Sequence, residues 1–208
     1  MGKLLLAVVE GYLFGSISSS VILSNWLFHT DVRRHGSGNA GATNAARVFG
    51  MGLGLLTLLC DAAKTAAAVY LGQALGGAVG FALAGGACLV GHCWPVFFHF
   101  RGGKGVTVGA VLALLLDWRV FLTIAALFFL LFVCSKTVSV CSVGAALALP
   151  AALFAFQCPL PECLLGVFAA ILVVFQHRSN LVRLARHTEP RFHAGSPADA
   201  RAHTEEKS

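Results

Sequence analysis

Charged residues are scarce in this chain: Asp, Glu, Lys and Arg together account for 12% of its 208 residues. Soluble domains carry about 25% of these residues. Hydrophobic residues instead make up 57% of the chain, and its mean hydropathy is +0.80. This balance excludes an ordinary soluble domain and indicates a polytopic membrane protein.

Patterns for metal, redox and serine chemistry are also missing. The seven cysteines have no C-x-x-C spacing, and His92, Cys93 and His99 lack the companion ligands that a zinc site needs. No G-x-S-x-G sequence is present, so a serine nucleophile has no specific support. We therefore expect neither a metal nor another cofactor.

Seven apolar runs dominate the chain. The first is too long to be the hydrophobic part of a cleavable signal peptide. Several of the others fall short of the roughly 20 residues that cross a bilayer, which predicts interfacial flanks or local thinning of the membrane. The fold class we predict is an all-α integral membrane protein with seven transmembrane helices, at 3–28, 51–72, 78–98, 105–116, 119–134, 138–157 and 161–176.

The cations divide unequally between the two sides of such a membrane protein. Lys3 and Arg119 fall on one side, and Lys64 lies within a span. Cytosolic loops carry the excess of Lys and Arg, so the N-terminus is expected outside and the C-terminus in the cytosol. The net charge of +6 is then explained by the cations that set the orientation in the membrane. We therefore expect no nucleic-acid partner. The remaining twelve cations fall on the cytosolic side: Arg33, Arg34, Arg47, Arg101, Lys104, Lys136, Arg178, Arg183, Arg186, Arg191, Arg201 and Lys207.

The chain divides into one membrane domain, 1–192, and a short tail, 193–208. The tail is polar, contains Gly195 and Pro197, and is predicted to be disordered. Every loop with unusual chemistry lies on the predicted cytosolic side, which favours chemistry at the cytosolic membrane surface. A transporter with a cytosolic gate, for anions, phosphate esters or lipids, is the alternative, and it needs polar groups near the midplane.

One glycine-rich run interrupts the apolar segments: F-R-G-G-K-G-V-T at 100–107. Its glycines, Gly102, Gly103 and Gly105, allow backbone N–H groups to approach an anion, and Arg101 and Lys104 add positive charge. Glycine follows the lysine where a nucleotide P-loop has Ser or Thr. The run predicts a phosphate site that does not bind nucleotide; the alternative is a turn whose cations mark the membrane edge.

The loop 31–47 has a similar composition, D-V-R-R-H-G-S-G-N-A-G-A-T-N-A-A-R. Its small residues, Gly36, Ser37, Gly38 and Asn39 among them, favour an irregular backbone with exposed donors. Thr43 or Asn44 is expected to cap a short helix that places Asn44 and Arg47 on one face. We interpret this loop as an anion site, with a flexible connection as the alternative.

A third polar stretch follows the last span. If a helix continues there, His177, Asn180 and Arg183 share a face; the alternative is a basic helix at the membrane edge. Within the spans, Asp61 and Lys64 lie three positions apart and are expected to neutralise each other or to face a polar cavity. The small residues at 15–20 indicate close helix packing.

These stretches together resemble the acylphosphate-dependent glycerol-3-phosphate acyltransferases of bacterial membranes. The resemblance covers about residues 1–191 and departs at Thr188, where a glycine is expected before Glu189. The matching runs are G-S-G-N-A-G-A-T-N-A-A-R at 36–47, G-H-C-W-P-V-F-F-H-F-R-G-G-K-G-V at 91–106 and H-R-S-N-L-V-R-L at 177–184.

The resemblance implies transfer of a fatty acyl group from acyl phosphate to the 1-hydroxyl of sn-glycerol 3-phosphate, at the cytosolic face of a bacterial inner membrane. Two substrates and the bilayer are then the partners, with no obligate protein partner. Glu189 is expected to hold the structure. The general base is left between His177 and the donor's own phosphate. The expected catalytic residues are Ser37, Arg47, Lys104, His177 and Asn180, and the expected binding residues are Gly36, Gly38, Asn39, Thr43, Asn44, Arg101, Gly102, Gly103 and Gly105.

Overall fold

The computed structural model describes residues 1–194 of the chain. Within that range every regular element is helical, which confirms the predicted all-α class. Most of the predicted tail, from residue 195 onward, lies outside the described residues. The α-helices are α1 (Gly2–Gly15), α2 (Ser19–Phe28), α3 (Ala42–Phe49), α4 (Met51–Cys93), α5 (Val106–Leu116), α6 (Trp118–Ser135), α7 (Val138–Ala155), α8 (Leu160–Gln176) and α9 (Arg178–Ala185), and the 3-10 turns are Val32–Arg34 and Val96–Phe98.

Several of these helices are long and apolar enough to cross a membrane. Four stretches qualify: Gly2–Phe28, Met51–Phe98, Trp118–Ser135 and Val138–Ala155. The α8–α9 pair, bent by 56°, makes a fifth if it counts as one span. Helix α5 is apolar but short. The structure therefore has four or five stretches suited to cross a membrane, and the count of seven stays a prediction.

Helix α4 folds back on itself at Gly76 and Gly77, between the predicted segments 51–72 and 78–98. Gly77 has a φ of 60°, which is in the left-handed region that glycine adopts without strain. A Cβ on Gly80 would overlap the carbonyl of Gly72. The two arms of α4 therefore lie in backbone contact as an antiparallel hairpin.

Helix α1 packs closely against the second arm of α4. A Cβ on Gly11 would overlap the backbone of Ala84, and a Cβ on Gly15 would overlap that of Cys88. This contact agrees with the packing that the small residues at 15–20 predict. The first predicted segment, 3–28, is however two helices, because the backbone leaves α1 at Gly15 and α2 begins at Ser19.

The apolar core lies among α4 to α8, around the fully buried side chains of Leu89, Leu112 and Leu153. At one end of this bundle, α3, α5 and α7 begin and α8 gives way to α9. After α9, the chain returns to the turn between α6 and α7, where the backbone N–H of Phe192 donates to the carbonyl of Lys136 at 2.9 Å. The polar residues of the three loops meet at this end.

Candidate active site

A polar cavity of about 90 Å³ lies where α3, α5 and α7 begin. The first N–H groups of a helix have no partner within it and carry a partial positive charge. Three such helix ends at one cavity make a strong site for anions. The cavity lining includes ten of the predicted residues, Ser37, Asn39, Thr43, Asn44, Arg47, Lys104, Gly105, His177, Asn180 and Glu189.

The buried amide of Asn44 organises the first loop. The two N–H bonds of its Nδ2 are shared among the carbonyls of Val32 (3.1 Å), His35 (3.1 Å) and Asn39 (3.0 Å). Its Oδ1 accepts the backbone N–H of Ser37 at 2.8 Å. Asn44 thus fixes the course of the loop around the cavity, and its N–H groups are already engaged there.

The predicted cap of α3 is wrong. The helix begins at Ala42, its N-cap is Gly41, and no side chain caps it. The backbone of Gly41 is extended and leads directly into the helix. Gly36 and Gly38 have positive φ values of 58° and 71° and shape the loop outside the cavity lining.

The glycine-rich loop lies against the end of α4. The N–H of Gly102 donates to the carbonyl of Cys93 at 3.2 Å, and that of Gly103 donates to the carbonyl of His92 at 2.9 Å. A Cβ on Gly103 would overlap Nε2 of His92. These two glycines therefore support the loop, while Lys104 and Gly105 reach the cavity.

Arg33 joins the two loops. Its Nη1 donates to the carbonyls of Phe98 (2.8 Å) and Arg101 (3.0 Å). The side chain of Arg101 itself is exposed and lies outside the cavity lining. Asp31 pairs with Arg33 at 2.7 Å. Burial alone would raise the pKa of Asp31, but its hydrogen bonds with Arg33 bring that pKa below its ordinary value.

A row of four side chains crosses the cavity. The Lys104 ammonium donates to Oδ1 of Asn180, and Nδ2 of Asn180 donates to Oε1 of Glu189. Glu189 also accepts from Nε of Arg183 at 2.7 Å. Burial is the main cause that lowers the pKa of Lys104 to about 8, and Glu189 opposes this shift. Glu189 thus has the basic partner that its predicted structural role requires, and the role itself stays a prediction.

His177 is buried at the junction of α8 and α9. Its Nδ1 lies 2.8 Å from the carbonyl of Val173. A carbonyl only accepts, so Nδ1 carries the proton and the Nε2 of a neutral ring is left as an acceptor. His177 and Asn180 both line the cavity, as their predicted shared face requires.

The cavity has an excess of positive charge. Arg47, Lys104 and Arg183 line it, against one carboxylate, Glu189. Arg183 pairs with Glu189, whereas no carboxylate among residues 1–194 forms an ion pair with Arg47. Arg47 and Lys104 are therefore the cations most available to an anionic ligand.

Ten residues of the cavity lining were not among the predicted site residues, and the polar ones are His92, Thr107, Ser139, Ser142 and Arg183. Ser139 and Ser142 lie one turn apart at the start of α7, within a run that reads as an ordinary span. His92 was interpreted only as a polar residue at the end of a helix. Their place in the site depends on how α4 and α7 pack, which local patterns do not report.

An apolar cavity of about 430 Å³ adjoins the polar one. The two cavities share lining residues at the starts of α3, α5 and α7, which include Ala42, Thr107 and Val138. From there the apolar cavity runs between α5, α6, α7 and α8, past Ala110 and as far as Leu149. A ligand with an anionic head and a long hydrocarbon chain would fit both cavities at once.

Asp61 and Lys64 form a buried ion pair at 2.7 Å. This confirms the expectation that they neutralise each other. Ser19 donates to Asp61 at 2.8 Å, and Lys64 donates to the carbonyl of Ile17 at 2.6 Å. The pair thereby satisfies the carbonyls that the break between α1 and α2 leaves open.

Residues 5–187 match the family model described as glycerol-3-phosphate acyltransferase. A glycerol-3-phosphate acyltransferase of Synechococcus sp. (strain JA-2-3B'a(2-13)) is 42% identical over 188 residues, which are 90% of this chain and 94% of that protein. Glycerol-3-phosphate acyltransferase 2 of Moorella thermoacetica is 43% identical over 190 residues, 89% of this chain and 95% of that protein.

Solved structures agree. The crystal structure of PlsY, an integral membrane glycerol 3-phosphate acyltransferase, in its glycerol 3-phosphate form has a TM-score of 0.86 at 30% identity, covering 91% of this chain and 96% of that one. Its lysophosphatidic acid form has a TM-score of 0.84 at 27% identity, covering 96% of this chain and 98% of that one.

Proposed function

The chain belongs to the glycerol-3-phosphate acyltransferase family, and on that premise we propose that its acyl donor is an acyl phosphate. The reaction transfers a fatty acyl group to the 1-hydroxyl of sn-glycerol 3-phosphate and yields lysophosphatidic acid and inorganic phosphate. The observation that supports this most is the pair of joined cavities. One is cationic and bounded by three helix starts, and the other is long and apolar.

Two phosphate-bearing substrates explain why two loops surround one cavity. We assign the donor phosphate to the start of α5, where Lys104 and Gly105 reach the cavity. We assign glycerol 3-phosphate to the start of α3, where Ser37 and Arg47 lie. Asn39 and Thr43 complete the acceptor side. The acyl chain then occupies the apolar cavity, which places its carbonyl carbon between the two anion sites.

In the reaction, the 1-hydroxyl oxygen attacks the carbonyl carbon of the donor. A new C–O ester bond forms, and the bond between the carbonyl carbon and the phosphate oxygen breaks. The leaving phosphate carries its electron pair away and is stabilised by Lys104 and the start of α5. The hydroxyl proton passes to the departing phosphate, either directly or through the free Nε2 of His177. An acyl phosphate is already activated, so positioning and charge stabilisation supply most of the rate.

The membrane arrangement is part of the proposal. The domain 1–192 crosses a bacterial inner membrane seven times, with the N-terminus outside and the cavity at the cytosolic face, and it acts without a protein partner. The hairpin of α4 supports the count, because its two arms supply two of the seven spans. The cations around the cavity support the orientation.

A donor comparison tests the proposed function. The protein, purified in detergent, is supplied with labelled glycerol 3-phosphate and either palmitoyl phosphate or palmitoyl-CoA. We expect labelled lysophosphatidic acid from palmitoyl phosphate only. Lys104→Ala should reduce its formation by about 100-fold or more, since it removes a charge that stabilises the leaving phosphate.

Arg178→Ala is the matched control, because Arg178 is exposed and lies against Phe175 outside the cavity lining. It should keep the activity of the unmodified protein. Product from palmitoyl-CoA at an equal rate would contradict the donor assignment. Absence of product from both donors would contradict the acyltransferase activity itself.

A further inference from the structure

His92 connects a buried ion pair to the glycine-rich loop. Its side chain is 6% exposed and lies in the wall of the polar cavity, at the end of α4. Its Nδ1 lies 3.2 Å from Nζ of Lys64. Its Nε2 lies on the opposite side of the ring, against Gly103. The ring therefore spans from the interior of the bundle to the loop that carries Lys104.

The neighbours of Lys64 determine where the His92 proton lies. Nζ of Lys64 lies 2.7 Å from Asp61, 2.6 Å from the carbonyl of Ile17 and 3.3 Å from that of Gly15. These three neighbours only accept hydrogen bonds, as befits a charged ammonium group. An ammonium group has no lone pair to accept from an Nδ1–H group, so Nδ1 of His92 carries no proton and shares the three N–H groups of Lys64 with these neighbours. The proton of the neutral ring is thereby held on Nε2.

We propose that His92 is a further catalytic residue, which donates Nε2–H to a phosphate oxygen of the acyl donor, and that Lys64 and Asp61 are positioning residues that fix its tautomer. The inference rests on the proposed function, which places the donor phosphate at this loop. The hydrogen bond from Gly103 N–H to the His92 carbonyl, at 2.9 Å, keeps ring and loop together. The donor phosphate would then receive N–H groups from the ring, from Lys104 and from the start of α5.

In this arrangement the buried ion pair of Asp61 and Lys64 also fixes the tautomer of His92. A charge pair in an apolar bundle is expensive unless its hydrogen bonds are satisfied. Here the pair also holds a histidine so that it donates toward the cavity. His177 has the opposite tautomer: its Nδ1–H donates to the carbonyl of Val173, which leaves its Nε2 as an acceptor. The cavity thus has one histidine that donates and one that accepts.

Two substitutions of His92 test the catalytic role. His92→Ala removes the donor, and His92→Gln returns an N–H group at about the position of Nε2. Steady-state kinetics are measured with palmitoyl phosphate and glycerol 3-phosphate. We expect kcat/KM for the acyl phosphate to fall about 100-fold in the alanine variant and to recover at least about tenfold in the glutamine variant. The KM for glycerol 3-phosphate should stay unchanged in both.

A double-mutant cycle tests the positioning role. The combined substitution Asp61→Asn/Lys64→Met removes the pair without leaving one buried charge unpaired. It should lower kcat/KM when His92 is present and cause no further loss of kcat/KM in the His92→Ala background, because it acts through His92. Thr65→Val is the control: it removes a buried hydroxyl beside the pair, which donates to the backbone carbonyl of Asp61 and not to its carboxylate.

Full activity in His92→Ala, or equal inactivity of the alanine and glutamine variants at unchanged melting temperature, would overturn the catalytic role. Additive losses in the cycle would overturn the positioning role. If the double variant does not fold, the alanine and glutamine comparison still decides about His92. The unmodified protein is measured in each run, so a failure of the proposed function is seen separately, as absence of product before any substitution.

Discussion

The ammonium group of Lys104 donates a hydrogen bond to the carboxamide oxygen of Asn180, 76 positions further along the chain. The same amide donates through its nitrogen to Glu189, which accepts from Arg183 as well. An amide can do both because one end accepts and the other donates. Asn180 therefore aims the lysine at the cavity without neutralising it.

Replacing Asn180 by aspartate should break this arrangement. Asn180→Asp puts a carboxylate beside Lys104 and a second one against Glu189, to which it cannot donate unless it is protonated. The cation would then be paired and less able to stabilise a phosphate. We expect kcat/KM for palmitoyl phosphate to fall about 100-fold, measured beside the control Arg178→Gln on the same helix. Activity within about twofold of the unmodified protein would show that the amide is not needed.

The charge of Lys104 should give the reaction an alkaline limit. Its pKa is lowered to about 8, chiefly by burial, so the ammonium form predominates below that pH and is lost above it. The KM for acyl phosphate should therefore rise as the pH passes through about 8. Lys104→Arg keeps its charge throughout, so its KM for acyl phosphate should not rise near pH 8. The same rise in the arginine variant would show that another group titrates there.

The link between the two loops should be measurable at Arg33. Arg33→Gln removes the hydrogen bonds to the carbonyls of Phe98 and Arg101, so the loops would be positioned less well for both substrates. We expect KM to rise about tenfold for each substrate, in line with the loss of charge-assisted hydrogen bonds. Arg34→Gln, at an exposed neighbouring position, should leave both constants unchanged. An increase in KM for only one of the two substrates would contradict the linking role.

The apolar cavity should set the length of acyl chain that the protein prefers. Ala110 lies on α5 about one turn beyond Thr107, on the wall of that cavity. Ala110→Phe would fill its middle, and kcat/KM should shift from palmitoyl phosphate toward shorter acyl phosphates. Leu130→Phe, on an exposed face of α6, is the control. An unchanged preference in Ala110→Phe would place the chain elsewhere.

The sequence predicted the elements better than their contacts. The breaks near 117 and 136 are polar points between long apolar runs, so α6 and α7 were placed to within a residue or two. The break between α1 and α2 was not predicted, because the carbonyls that it frees are satisfied by Lys64, 47 positions away from Ile17. A local pattern contains no sign of such a distant partner.

The site shows the same division. The residues at 36–47, 102–105 and 177–189 were identified from their motifs, and the structure brings many of them to one cavity. Composition could not show that the side chain of Asn44 forms its hydrogen bonds within its own loop, or that Arg101 lies outside the cavity lining. Nor could it show that His92 and Ser139 belong to the wall. Those facts depend on tertiary packing.

Two phosphates are proposed to bind in one cavity, the donor's at Lys104 and the acceptor's at Arg47. Two-substrate kinetics of Lys104→Gln and Arg47→Gln, with palmitoyl phosphate and glycerol 3-phosphate each varied in turn, test this proposal most directly. We expect Arg47→Gln to raise the KM for glycerol 3-phosphate about tenfold or more and to leave the KM for palmitoyl phosphate nearly unchanged. Lys104→Gln should do the reverse. Equal effects of both substitutions on both constants would contradict the proposal.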